Sequence, residues 1–189
     1  MPRNQFNINI ENVVASASLN QFIDLESVAR TFPTVEYKPD QFPGLVYRLK
    51  KPNVSTLVFS TGKLIVAGAK SEKRARRAVS KLVEEFKTGG LIILGRPEIK
   101  IRNVVASADL GCRIDLEDTA NSLDGTIYEP DQFPGLIYRL KEPKVVMLIF
   151  SSGKLVCTGA NREADVERAV SKLREALAIR GLIPYNAPD

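Results

Sequence analysis

Tyr37-Lys38-Pro39-Asp40-Gln41-Phe42-Pro43-Gly44-Leu45-Val46-Tyr47-Arg48-Leu49-Lys50-Lys51-Pro52 returns as Tyr128-Glu129-Pro130-Asp131-Gln132-Phe133-Pro134-Gly135-Leu136-Ile137-Tyr138-Arg139-Leu140-Lys141-Glu142-Pro143, at an offset of 91 positions. The offset extends without a gap from residues 8–92 onto 99–183, and 47 of the 85 aligned pairs are identical. The chain is one unit used twice, with the expected division at 1–95 and 96–189. Two copies of one surface point to a partner with matching two-fold symmetry.

Within a copy, Ile8, Ile10, Asn12 and Val14 alternate with Asn9, Glu11, Val13 and Ala15, which reads as a strand. Asp24 then offers an N-cap for a helix over Leu25 to Phe32, stopped by Pro33; the second copy replaces it with Asp115 to Leu123. Strands follow at Val35 to Lys38, Leu45 to Leu49, Ser55 to Ser60 and Lys63 to Ala69, separated by turn residues at Pro43-Gly44, Lys51-Pro52-Asn53 and Thr61-Gly62. A long helix from Ser71 to Lys87 closes the unit, with Ala75, Ala78, Val79, Leu82 and Phe86 on one stripe. The class is α+β, ordered strand, helix, four strands, helix in each repeat.

The hairpin strands do not alternate apolar with polar. Leu57-Val58-Phe59 and Leu64-Ile65-Val66-Ala67 are apolar on both faces, as are Leu148-Ile149-Phe150 and Leu155-Val156-Cys157. Two helices per repeat cover one face, so the other is covered by a second sheet or a dimer, or is an apolar binding surface. Phe42 precedes Pro43 and Gly44, a geometry that turns an aromatic ring outward at a loop, and Phe59 stands before the Thr61-Gly62 turn. Phe133 and Phe150 repeat both placements, giving two pairs.

Composition narrows the chemistry. The chain has no histidine, which removes the usual imidazole base and the commonest metal ligand. Its two cysteines, Cys112 and Cys157, replace Gln21 and Val66 of the first copy and read as ordinary small residues. Ser60-Thr61-Gly62-Lys63-Leu64 fails as a phosphate loop, because Leu57 stands where the first glycine belongs and Leu64 where a magnesium-binding hydroxyl belongs. An enzyme is not expected, and no cofactor or metal is implied. The start Met1-Pro-Arg-Asn-Gln lacks a signal-peptide core, so an intracellular protein is expected. Net charge is +5, divided as +6 over residues 1–95 and −1 over 96–189. That asymmetry gives a pseudo-symmetric body a direction.

Glu11-Asn12-Val13-Val14-Ala15, Phe42-Pro43-Gly44-Leu45-Val46-Tyr47-Arg48, Phe59-Ser60-Thr61-Gly62-Lys63 and Gly68-Ala69, with their second copies, resemble the TATA-binding protein family, in the archaeal form, since almost nothing precedes the first strand. The resemblance implies a saddle-shaped, ten-stranded antiparallel sheet whose concave face lies on the DNA minor groove while four helices cover the convex side. It implies that Phe42, Phe59, Phe133 and Phe150 wedge between base steps. By the same match, Asn12 and Asn103 supply amide donors to adenine N3 and thymine O2. The rest of the groove floor would be Val14, Leu57, Ile65, Ala67, Val105, Leu148, Val156 and Thr158. Val14, Val105, Ile65 and Val156 leave no acceptor for the guanine amino group, which disfavours G·C pairs by about 1 to 3 kcal/mol. Flexible TA steps deform most easily, so sequence is also read through deformability. Only the second repeat keeps a hydroxyl, Thr158 against Ala67.

Arg48, Lys63, Arg139 and Lys154 are the candidate phosphate contacts. Glu129 and Asp131 make the second turn acidic, and the family places transcription factor B there, with RNA polymerase recruited indirectly. The expected function is a general transcription factor that kinks TATA-box promoter DNA in an archaeal cytoplasm or nucleoid. The competing reading is a non-enzymatic scaffold whose apolar sheet face binds protein. Free protein is also a candidate for self-dimerisation through that face. The run Lys73-Arg74-Ala75-Arg76-Arg77 has the counterpart Ala164-Asp165-Val166-Glu167-Arg168, so its charge is not duplicated.

Overall fold

The computed structural model describes residues 7–184. The start Met1 to Gln5, read above for a signal sequence, lies outside them. The first repeat runs β1 (Asn9–Ser18), α1 (Leu25–Thr31), β2 (Glu36–Tyr37), β3 (Gly44–Lys50), β4 (Asn53–Phe59), β5 (Lys63–Ala69) and α2 (Glu72–Thr88). The second runs β6 (Glu98–Asp109), α3 (Leu116–Ser122), β7 (Thr126–Ile127), β8 (Leu136–Leu140), β9 (Val145–Ile149), β10 (Lys154–Ala160) and α4 (Glu163–Ile179). The α+β class, with ten antiparallel strands and four helices among the described residues, is the one the sequence implies. The first strand of each repeat is longer than the alternation at Ile8 to Ala15 indicates.

The chain groups into two compact units, one of Asn12–Arg102 and one of 103–184 with the start of β1 up to Glu11. The first carries the strand order β2-β3-β4-β5-β1 and the second β6-β10-β9-β8-β7. Consecutive hairpins set the neighbours, and the first strand of each repeat closes against the last.

Alternation along the strands decides which side chains meet the helices. Val13, Ala15 and Ala17 of β1 are buried, as are Val54, Val58, Leu64 and Val66, and so are Ala75, Ala78, Val79 and Leu82 of α2, which packs against β5. In the second unit Val104, Ala106, Met147, Ile149 and Leu155 are buried with Val166, Ala169, Val170 and Leu173 of α4. Phe32, Tyr47 and Phe86 form a ring cluster with centroids 5.5 to 5.9 Å apart, Tyr47 meeting both phenylalanines edge to face. Tyr47 also donates its hydroxyl hydrogen to Glu85, and burial with that carboxylate pushes the phenol well above its ordinary value.

Helix starts follow from their caps. Asp24 accepts from the Glu26 and Ser27 N–H groups at 3.1 and 3.2 Å, Asp115 from Asp118 N–H at 3.0 Å, and Ser71 from Arg74 N–H at 3.1 Å. Arg162 caps α4 without a side-chain bond to the backbone; its guanidinium reaches Asp165 at 3.0 Å instead. Gly62 and Gly153, at φ +81° and +86°, turn the β4–β5 and β9–β10 hairpins under the loops after β1 and β6. Their carbonyls accept from Leu19 and Leu110 N–H at 3.0 Å, and a Cβ on either glycine would collide with the carbonyl oxygen of Gln21 or Cys112.

Candidate nucleic-acid interface

The helices leave the other face of each sheet uncovered, and every groove-floor candidate falls on it. Asn12, Val14, Leu57 and Ala67 are half-buried and Ile65 is 37% exposed; Asn103, Val105, Leu148, Val156 and Thr158 are half-buried. Register makes the apolar ones neighbours: Leu57 faces Ile65 and Leu148 faces Val156, while Ile65 and Val156 stand opposite Ser16 and Ser107. Water on these faces meets mainly hydrocarbon and few unpaired polar groups.

The two asparagines are held by a feature that spacing alone conceals. Between Val66 and Ala69 the β5 strand has one residue more than β1 has between Ala15 and Val13, and β10 bulges likewise between Cys157 and Ala160. Gly68 and Gly159 take up the bulges at φ +94° and +95°. Their N–H groups, lost to the ladder, donate to Asn12 Oδ1 at 2.7 Å and Asn103 Oδ1 at 2.8 Å. With each oxygen engaged by a glycine, the amide NH₂ is the group left to meet a ligand. In the second unit Asn103 Nδ2 lies 3.3 Å from Thr158 Oγ1; Ala67 gives Asn12 no such neighbour.

The phenylalanines pair as expected. Phe42 and Phe59 meet edge to face with centroids 5.9 Å apart at 66°, and Phe133 and Phe150 at 6.0 Å and 65°. Phe42 is 39% exposed and the other three are half-buried. The Lys38 and Glu129 carbonyls accept from Phe42 and Phe133 N–H at 3.0 and 2.9 Å, so each outer ring rides on a closed turn. Each pair rests over a glycine: a Cβ on Gly44 would come within 2.7 Å of Phe42 and 3.0 Å of Phe59, and one on Gly135 within 2.7 Å of Phe133 and 3.1 Å of Phe150.

Lys63 lines a hollow of about 520 Å³ with Phe59, Ser16, Ile65 and Arg102, and Lys154 lines one of about 710 Å³ with Phe150, Ser107 and Val156. Arg48 pairs with Glu36 at 2.6 Å, both more than half exposed, so this cation carries an intramolecular partner. Arg139 lacks that partner because Ile127 occupies the position of Glu36. Glu129 and Asp131 are exposed on the turn before Phe133. Burial raises the Cys157 thiol to about 11, in keeping with a packing role, and Cys112 is likewise raised by burial.

The part that several residues play here escaped the sequence reading. Gly68 and Gly159 carried a signal, a glycine repeated inside a strand. Arg102 and Glu11 carried another, a charge reversal at one register position. Arg102 Nε donates to Ser16 Oγ at 2.6 Å, while Ser107 Oγ donates to Glu11 at 2.7 Å, so the same serine meets a cation in one unit and a carboxylate in the other. Among the described residues no cluster of three or more His, Cys, Asp or Glu could hold a metal, and no helix is long and apolar enough to cross a membrane.

The family model for "Transcription factor TFIID (or TATA-binding protein, TBP)" matches residues 7–89 and 98–179, one span in each repeat. The TATA-box-binding protein of Pyrodictium occultum is 54% identical over 169 residues, covering 89% of this chain and 85% of that protein. The one from Methanocaldococcus jannaschii is 50% identical, covering 90% of this chain and 93% of its own length. The solved structure of Methanococcus jannaschii TBP superposes with a TM-score of 0.83 at 49% identity, covering 91% of this chain and 98% of that one. With both repeats matched and half of the residues shared over nine-tenths of its length, the chain belongs to the TATA-binding protein family.

Proposed function

We propose that this chain is a general transcription factor that binds A·T-rich TATA-box DNA in the minor groove through the matching uncovered faces of its two units. The observation that carries the reading is the duplicated pairing of a glycine-held asparagine amide with an apolar strip and a seated phenylalanine pair. A minor groove offers acceptors at A·T pairs and adds the guanine amino donor at G·C pairs. Fixed NH₂ groups satisfy the former. The strip of Val14, Ile65, Val105 and Val156 leaves the latter without an acceptor, so G·C is penalised more than A·T is favoured.

The ring pairs supply the bend. Inserting one edge of Phe42–Phe59 or Phe133–Phe150 at a base step unstacks it at a cost of a few kcal/mol, offset by apolar burial along the widened groove. Lys63 and Lys154, beside the inner rings, meet the phosphates that flank each kink, with Arg139 and, once released from Glu36, Arg48. Glu129 and Asp131 give the second turn the acidic character that suits docking of transcription factor B, through which RNA polymerase is recruited.

Resonance energy transfer across an end-labelled duplex tests this. Wild type should bend a central TATA-like site, Phe133→Ala/Phe150→Ala should lose the kink at that end, and a G·C-substituted site should abolish the bend. Tight binding with no bend and no sequence preference would refute it in favour of a protein-binding scaffold.

A further inference from the structure

The basic run on α2 does not stand alone. Lys50, the last residue of β3, and Lys51, on the turn to β4, enclose with Lys70, Arg74 and Arg77 a basin of about 480 Å³ whose lining holds no carboxylate. Lys50, Lys51, Arg74 and Arg77 form no ion pair among the described residues.

The second repeat shows what the same place looks like when neutralised. Glu142 replaces Lys51, Asp165 replaces Arg74, and Arg168 keeps the position of Arg77. Arg168 bridges Glu142 at 3.0 Å and Asp165 at 3.2 Å, and Arg162 holds Asp165 at 3.0 Å. One architecture therefore carries a closed ion network in one copy and, at Lys50, Lys51, Arg74 and Arg77, cations with no ion pair among the described residues in the other. The network version shows that the same local fold is built without the cations. An anion from outside the chain would relieve the self-repulsion of the cationic version.

The occupant follows from what the basin adjoins. Gly68, whose N–H is latched to Asn12 on the uncovered face, also lines the basin, with Asn53 and Val54 of β4. The basin starts where the strip proposed to meet the groove ends. We infer that it binds backbone phosphates of the duplex flanking the A·T-rich element on the first-repeat side, an extension the second repeat lacks. The inference rests on the function proposed above and adds a one-sided, sequence-independent contact that fixes the direction in which the protein lies on DNA.

The test compares a core duplex, ending at the A·T-rich element, with duplexes extended on one side or the other, by fluorescence anisotropy over a range of salt. Wild type should bind one extended duplex about tenfold tighter than the core and the other no tighter. Its log affinity against log salt should steepen by about 2 to 4 with that extension, at roughly 0.9 per phosphate contact. Lys51→Glu/Arg74→Asp installs the residues that the second repeat carries; it should erase the gain and the extra slope while leaving core affinity and thermal stability unchanged. Lys51→Gln/Arg77→Gln, without new carboxylates, should do the same in weaker form.

Equal binding of all duplexes by wild type would overturn the inference, as would an equal loss on core and extended duplexes in the variant. A deca-glutamate peptide that binds wild type, not the variant, with no effect of DNA extension would assign the basin to an acidic protein segment instead. Failure of wild type to bend the core duplex would be a failure of the proposed function itself, and the basin assignment would fall with it.

Discussion

Replacing Gly135 by alanine adds one methyl group under the Phe133–Phe150 pair. The new Cβ would stand 2.7 Å from Phe133 Cε1 and 3.1 Å from Phe150 Cε1, against an ordinary carbon contact of about 3.5 to 4 Å, so both rings must swing by up to about 1 Å. Gly135 does not have a positive φ, and both rings are half-buried on the uncovered face, so the backbone accepts alanine and the rings have room to move. The cost to folding is therefore the edge-to-face contact, about 0.5 to 1.5 kcal/mol. DNA binding suffers more, because a wedge displaced by an ångström meets its base step out of line. Losing stacking of one base on an aromatic ring is worth about 1 to 3 kcal/mol, which weakens binding roughly 5- to 150-fold. Urea unfolding, anisotropy and energy-transfer bending measured on the same preparations separate the two effects. The expectation is a small drop in midpoint, a large drop in affinity and a smaller bend at that end of the site. An unchanged bend in the presence of displaced ring resonances would refute the argument, as would a stability loss large enough to explain the affinity.

Four further outcomes follow from the geometry. Thr56 is fully buried with no partner for its hydroxyl among the described residues, and its counterpart is Met147, so Thr56→Val should stabilise the protein by about 1 kcal/mol in denaturant unfolding. Gly62→Ala and Gly153→Ala combine positive φ with a clash against a backbone carbonyl and should each cost about 3 kcal/mol or more, with the hairpin amides losing protection from exchange. The Arg162 hydrogen bond holds Asp165 below the usual carboxylate value, so the stability it adds is present above the unfolded-state value and is lost as pH falls through the lower folded-state one; Asp165→Asn should flatten the acid limb of a stability–pH curve. The apolar strips should drive self-association of DNA-free protein in sedimentation velocity, reversed by Ile65→Lys or by TATA-like DNA.

Local signals carried most of the fold. Alternation, the Asp24 and Asp115 caps and the Pro and Gly turns act over a few residues, and the elements they mark lie where they were expected. Phe42, Phe59, Phe133 and Phe150 were legible as pairs because the duplication made each placement appear twice beside a turn. What escaped depends on residues brought together from afar. Asn12 is 56 positions from Gly68, and their bond exists only because a bulge frees one N–H that regular register would have used. Gly44 looked like a turn residue, while its lack of a side chain is what seats two rings. The charge run on α2 was visible, yet Lys50 and Lys51, which share a basin with it, and the network of Glu142, Asp165 and Arg168 that replaces it, needed the packed structure.

The glycine latch on Asn12 and Asn103 has a consequence for the thermodynamics of recognition. An exposed asparagine ordinarily samples several rotamers and both amide orientations, and fixing such a side chain on association costs about 0.5 to 1.5 kcal/mol. Here each amide is immobilised as the sheet forms, so that entropy is lost during folding and not on meeting a ligand. The latch also sets the orientation of the amide, so its NH₂ donors are held on offer and no amide flip accompanies binding. Relaxation measurements on the two side-chain NH₂ groups should find them rigid in the free protein and no more ordered when it is bound.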